Sequence, residues 1–62
     1  MTLSPRHKQI VTLLSQAKTN KIIAHELGLT EGTIRIYISH IFKKTGAANR
    51  TDLALMAVRQ QL

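Results

Sequence analysis

Apolar residues recur at helical spacing along most of this chain, and the first such segment begins after residue 4. Ser4 and Pro5 form a helix start signal, because a serine hydroxyl caps free amides and proline needs no amide hydrogen in the first turn. The apolar positions that follow are Ile10, Leu13, Leu14 and Ala17, with Val11 beside them. Their spacing of three and four residues predicts a first helix that extends to about Ala17 and buries one face.

Two further helical segments follow, and a turn of only three residues separates them. Thr19 is placed to cap the second helix, which extends to Leu27 and is closed by Gly28 in a left-handed conformation. The inward positions of this helix are Ile23, Ala24 and Leu27. The pattern then predicts a third helix, which Thr30 caps and Gly46 ends.

The last segment predicts a fourth helix from Arg50 to near Gln60. Asn49 with Asp52 three residues later resembles a capping box, although Asp is shorter than the usual Glu. The inward positions of this helix are Leu53, Ala54 and Ala57. With four short helices and no strand pattern, we expect an all-α, four-helix bundle-like domain over residues 1–62. The second and third helices, joined by so short a turn, fit a helix-turn-helix unit.

The third helix has two unlike faces when its residues are placed about 100° apart. Its apolar face contains Ile34, Ile38, Ile41, Phe42 and Thr45, with Tyr37 at the edge. Its opposite face contains Arg35, Ile36, Ser39, His40 and Lys43. An ordinary solvent-exposed face mixes acids with bases, but this helix has no acid after Glu31. We therefore expect the polar face to meet a polyanion.

The overall charge favours the same kind of partner. Nine lysines and arginines against three acids give a formal charge of +6 on 62 residues, which favours nucleic acid or an anionic membrane surface. A membrane is the weaker alternative, because no apolar run approaches the roughly 18 residues of a membrane-spanning helix. The first residues lack the apolar core of a signal peptide, so we expect a soluble, cytoplasmic protein.

Metal binding and catalysis have little support in the sequence. His7, His25 and His40 fall on three different predicted helices, and zinc-ligand spacing such as HExxH is absent. Cysteine is absent as well. The three acids form no pair in register, and no nucleophile lies beside a base. We therefore expect no catalytic residues, no cofactor, no metal ion and no small-molecule substrate.

A helix-turn-helix places its second helix in the major groove of DNA and its first helix across the backbone. Arg35 is the strongest candidate for a base contact, because a guanidinium bonds O6 and N7 of guanine together. Ile36 offers an apolar contact to a thymine methyl group, and Ser39 offers a hydroxyl to a base or a phosphate. The candidate contacts to the DNA backbone are Asn20, Lys21, His25, Thr33, His40, Lys43 and Lys44.

The fourth helix has a second apolar stripe besides its inward row. The stripe contains Leu55, Val58 and Leu62, roughly a hundred degrees from the inward positions. One small core cannot use both rows, so we expect the second stripe to be an interface. A domain of this size buries only about 60% of its unfolded surface, so dimerisation would also add stability.

These segments resemble the LuxR-type, or GerE-like, DNA-binding domain of bacterial transcription regulators. The family's opening helix is similar to LSPRHKQIVTLL, its helix-turn-helix to TNKIIAHELGLTEGTIRIYISHIFKKTG, and its fourth helix to AANRTDLALMAV. The resemblance implies transcription regulation, homodimerisation through the fourth helix, and RNA polymerase as a further partner. Members usually follow a receiver or ligand-binding domain, as the output domain of a response regulator does. The resemblance thus implies either such a domain on its own or a rare free-standing one.

Some positions depart from the residues usual in that family. Glu is usual where this chain has His7 and Ile22. His is usual at Tyr37, and Lys is frequent at Ser39. The absence of these acids raises the net charge, and it leaves open which groups form hydrogen bonds with His7. The serine at position 39 means that the target sequences of relatives do not transfer directly to this chain.

Two alternatives remain open at this point. The C-terminal region of a sigma factor has a similar helix-turn-helix, but it would not need the fourth helix ANRTDLALMAV. A free-standing interaction module would heterodimerise with a full-length regulator and antagonise it. Such an antagonist has no need of Arg35 and the basic residues around it, and this chain retains them.

Overall fold

The computed structural model describes residues 3–60, and this part of the chain folds into four α-helices without a strand. α1 spans Pro5–Ser15, α2 spans Asn20–Leu27, α3 spans Glu31–Thr45 and α4 spans Arg50–Val58. The predicted all-α fold is confirmed, and so is the three-residue turn between α2 and α3.

Each helix begins after a residue whose side chain accepts a hydrogen bond from a first-turn amide. Three of these bonds measure 3.2 Å, from the amides of His7, Ile22 and Thr33 to the hydroxyl oxygens of Ser4, Thr19 and Thr30. The side chain of Asn49 accepts from the amide of Asp52 at 2.8 Å, and the Asp52 carboxylate accepts in return from the amide of Ala48 at 2.8 Å. All four predicted starts are confirmed, and each cap contributes about 1 kcal/mol.

Glycines end α2 and α3, as predicted. Gly28 and Gly46 have φ of 69° and 72°, in the left-handed region that glycine adopts without steric cost. The amide of Gly46 donates to the carbonyl of Phe42 at 2.9 Å and closes α3. α4 ends at Val58, slightly before the predicted end near Gln60, which itself has a left-handed φ of 56°.

The prediction for the end of α1 was wrong. The helix stops at Ser15 rather than near Ala17. Ala17 has a left-handed φ of 63° and an exposed side chain, so it does not belong to the inward stripe. Its amide and that of Lys18 donate to the carbonyls of Leu14 and Leu13 at 3.0 and 3.4 Å, and these bonds close the helix. The helical spacing of apolar residues in the sequence extends to Ala17, although the backbone already leaves the helix after Ser15.

Side chains from all four helices meet in one core. Those that are completely enclosed are Ile10, Ile23, Ile34, Ile41 and Leu53. α4 packs chiefly on α1, and α2 packs chiefly on α3, while α1 also contacts α2 and α3. Val11, predicted only to flank the α1 stripe, is buried as well. Because each buried aliphatic side chain contributes about 1.5–3 kcal/mol, this small core holds α3 firmly with its opposite face outward.

His7 is a buried polar side chain, with 8% of its surface exposed. Its ring meets Tyr37 edge to face, with centroids 5.5 Å apart and planes at 75°. Its Nδ1 atom has no hydrogen-bond partner among the described residues. Burial lowers the pKa of His7 below the ordinary 6.5, and the charges of Lys44 and His40 lower it further. Burial and these two neighbouring groups therefore favour the neutral form of the His7 ring.

Candidate nucleic-acid interface

The two faces predicted for α3 are present in the structure. Ile34, Ile38 and Ile41 are buried against the other helices. On the opposite side Arg35 and Ser39 are exposed, and Ile36 has 60% of its surface exposed. An isoleucine this exposed between polar neighbours forms no part of the core, so it is available to a partner of α3.

A depression of about 450 Å³ lies where the start of α2 meets the outer face of α3. Its lining residues are Asn20, Arg35, Ile38, Ser39, Phe42 and Lys43. We call it the α3 depression. Four of these residues were predicted to contact DNA, and Asn20 comes from a different helix than the other three. The packing of α2 on α3 thus brings a predicted backbone contact beside two predicted base contacts.

A second depression of about 540 Å³ adjoins the first and shares Asn20 and Arg35 with it. Its lining residues are Ala17, Lys18, Thr19, Asn20, Lys21, Glu31, Arg35 and Arg50. We call it the cationic groove, because it contains four cations and only one carboxylate. Cations around an open groove suit the phosphate backbone of a nucleic acid, since each one that neutralises a phosphate releases a counterion.

Five of the ten predicted DNA contacts therefore surround these two adjoining depressions: Asn20, Lys21, Arg35, Ser39 and Lys43. The other five line neither of them: His25, Ile36, Thr33, His40 and Lys44. His40 and Lys44 lie close enough to His7 on α1 to lower its pKa, which places them toward the α1 side of α3. The hydroxyl of Thr33 accepts a hydrogen bond from Thr30 at 3.0 Å and so takes part in the cap of α3.

Sequence reasoning missed two residues of the cationic groove, Lys18 and Arg50. Lys18 forms a 2.6 Å ion pair with Glu26. Arg50, identified from the sequence only as the first residue of the fourth helix, donates to Oδ1 of Asn20 and to the carbonyl of Lys18, both at 2.8 Å. No local signal could have revealed these bonds, because the partners are 30 and 32 positions away in the chain.

Among residues 3–60, Arg35 has only a weak partner. Its Nη1 atom lies 4.0 Å from Oε2 of Glu31, one turn earlier on α3, and both side chains are exposed. An exposed pair at this distance contributes between about 0 and 1 kcal/mol. The guanidinium of Arg35 can therefore leave Glu31 and bind another partner at little energetic cost.

The outer side of α4 has the apolar surface that its second stripe predicted. Leu55 is 44% exposed and Val58 is 67% exposed. Leu62, the third residue of the predicted stripe, lies outside the described residues. Among residues 3–60, no helix is both long and apolar enough to cross a membrane. The same part of the chain has no cluster of three potential metal-binding His, Asp or Glu side chains.

Comparison with known proteins gives consistent results. The chain matches the family described as "Bacterial regulatory proteins, luxR family" over residues 1–57. It is 45% identical over 53 residues to the two-component response regulator PprB of Pseudomonas aeruginosa, covering 86% of this chain and 19% of that protein. It is 32% identical over 60 residues to the nitrate/nitrite response regulator protein NarL of Escherichia coli (strain K12), covering 97% of this chain and 28% of that protein. This chain thus spans less than a third of either relative.

The fold, in which a three-residue turn joins α2 and α3, defines the class of protein as a helix-turn-helix domain. The family match, which includes the fourth helix, is more specific. This chain belongs to the luxR family of bacterial regulatory proteins. The predicted resemblance is confirmed, and the domain is one that binds DNA for regulation rather than an enzyme.

Proposed function

We propose that this domain binds duplex DNA sequence-specifically by inserting α3 into the major groove, and that it regulates transcription by doing so. The observation that supports this most directly is the position of the cationic groove beside the α3 depression. The first surface offers charge to phosphates, and the second offers polar side chains on a rigid helix to base edges. Phosphate contacts position a protein on DNA, and base contacts give it specificity.

Within this proposal Arg35, Ile36 and Ser39 contact bases. Arg35 bonds a guanine through both of its terminal nitrogens, and Ile36 packs on a thymine methyl group. The residues assigned to the DNA backbone are Asn20, Lys21, His25, Thr33, His40, Lys43 and Lys44. Those of them that are cationic should each steepen the salt dependence of binding.

The proposal includes a homodimer formed through α4. Leu55 and Val58 support it, since both are exposed apolar residues on one side of that helix, and Leu62 would extend the same stripe. A dimer with twofold symmetry places its two recognition helices on two half-sites of the DNA. RNA polymerase is the further partner expected for a transcription regulator of this kind.

The test is fluorescence anisotropy with promoter-derived and random duplexes over a series of salt concentrations. We expect the wild-type protein to prefer some duplexes. Arg35→Ala should lose about 1–3 kcal/mol of binding free energy on those duplexes and little on the others. Lys8→Ala is the control, because this substitution also removes one positive charge. Lys8 is exposed on α1 and lines neither depression.

Equal binding of all duplexes by wild type and Arg35→Ala would contradict sequence-specific readout. Absence of DNA binding at moderate salt would instead support the alternative, a protein-interaction module that antagonises a full-length regulator. Mixing the domain with a labelled relative then decides the matter, because antagonism requires a heterodimer that does not bind DNA.

A further inference from the structure

Arg50 joins two parts of the domain that otherwise pack on different neighbours. It is the first residue of α4, which packs chiefly on α1. Its guanidinium nevertheless reaches the start of α2, where Nη1 donates to Oδ1 of Asn20 and Nη2 donates to the carbonyl of Lys18, both at 2.8 Å. Among residues 3–60, these are the side-chain hydrogen bonds that span the largest distance along the chain.

The chemistry of this contact determines which end of the Asn20 side chain is free. A guanidinium has only donors, so the amide of Asn20 must present its oxygen to Arg50. The Nδ2 group is then on the other branch of the same planar amide. Asn20 is half-buried and lines both the cationic groove and the α3 depression. A phosphate oxygen at this junction accepts hydrogen bonds only, so an amide that offers its NH2 group is correctly oriented for it.

We infer that Arg50 is a positioning residue of the DNA-binding surface, which holds Asn20 with its NH2 group available to a phosphate of the DNA backbone. The inference rests on the proposed function and adds a residue to it. Without Arg50 nothing holds the oxygen of the Asn20 amide on this side, so its NH2 group is no longer fixed in the position that donates to the phosphate. The bond to the carbonyl of Lys18 fixes the guanidinium itself, because a fork with two partners has one geometry.

The first test is a double-mutant cycle on the duplex that the wild-type protein prefers, with dissociation constants from fluorescence anisotropy. Arg50→Ala and Asn20→Ala should each weaken binding about five- to tenfold, as expected for one lost hydrogen bond. The double variant should lose about as much as either single variant, because Arg50 acts through Asn20. If the factor by which the double variant weakens binding equals the product of the two single-variant factors, Arg50 acts independently of Asn20 and the inference is wrong.

Arg50→Lys separates positioning from charge. Lysine keeps the positive charge but has a single ammonium group, which does not reproduce the two-pronged bonding of arginine. We expect Arg50→Lys to lose nearly as much affinity as Arg50→Ala, with the salt dependence unchanged in both. Wild-type affinity in Arg50→Lys, or a salt slope reduced by about one in Arg50→Ala alone, would show instead that Arg50 neutralises a phosphate directly.

Asn20→Asp separates binding from folding. The carboxylate would still accept from Arg50, so thermal stability should be at least that of the wild type, but it has no N–H to offer a phosphate. Gln16→Asp is the matched control, because it adds the same charge at an exposed position of the neighbouring loop. Asn20→Asp should weaken binding at least fivefold more than Gln16→Asp. Equal losses in the two variants would mean that the amide of Asn20 donates nothing to DNA.

Failure of this inference is distinguishable from failure of the proposed function. If the wild-type protein prefers no duplex and Arg35→Ala changes nothing, the proposed function fails, and Arg50 has no DNA contact to position. If the wild type is selective and Arg35→Ala abolishes that preference while the cycle is additive, only the role of Arg50 is wrong. Thermal unfolding of every variant, followed by circular dichroism, ensures that folded proteins are compared.

Discussion

Ala17 occupies a backbone conformation that suits glycine better than alanine. Its φ of 63° lies in the left-handed region, where Cβ of an L-residue approaches the carbonyl oxygen too closely, at a cost of about 1–2 kcal/mol. Ala17→Gly would relieve this strain. It would also lower the free energy of unfolding by about 0.4–1 kcal/mol, because glycine gives the unfolded chain more conformational freedom. The side chain is exposed, so its removal loses no buried contact. The two ranges differ by about 0–1.6 kcal/mol, and we expect a net stabilisation near the middle, about 0.8 kcal/mol.

Thermal and urea unfolding would measure this effect. For a domain of this size, 1 kcal/mol corresponds to roughly 4–8 °C in Tm, so a gain of about 0.8 kcal/mol raises Tm by about 3–6 °C. Gln16→Gly is the control, because Gln16 is exposed but has an ordinary φ of −87°. That variant should lose stability, since glycine relieves nothing there. If Ala17→Gly is no more stable than Gln16→Gly, the turn after α1 does not have the strained conformation described here.

Two other properties lead to predictions. The folded-state pKa of His7 lies below 6.5, so the unfolded chain takes up a proton first as the pH falls. The free energy of unfolding should therefore decrease as the pH falls through 6.5 toward the folded-state pKa. Denaturant titrations at several pH values should show a smaller decrease for His7→Phe. The control His25→Gln, at an exposed position, should show the same decrease as the wild type. If the decrease is unchanged in His7→Phe, the imidazole of His7 is not buried in its neutral form. On the outer side of α4, Val58→Glu should shift sedimentation of the domain from dimer toward monomer, and it should lower Tm only at concentrations at which the wild type is dimeric. The exposed Thr51→Glu should change neither property. A wild-type protein that stays monomeric at every concentration would refute the proposed interface.

Features that depend on neighbours three or four residues apart were predictable from the sequence. The caps at Ser4, Thr19, Thr30 and Asn49 each join a side chain to an amide three positions later. The two faces of α3 follow from the helical period alone, so the candidate base contacts were visible without coordinates. Ala17 marks the limit of this approach, because an alanine at an apolar position does not reveal where the backbone turns.

Contacts between distant segments were decided by the tertiary structure. The sequence by itself determined the number of helices, their starts and the polar face of α3, because local hydrogen bonds and the helical period specify these. Only the packing of the helices decided that His7 meets the ring of Tyr37 and that Arg50 bonds Asn20 across 30 positions. A helical pattern shows which residues share a side of one helix. It does not show how the helices pack on one another, and the packing of α2, α3 and α4 brings Asn20, Arg35 and Arg50 to one groove.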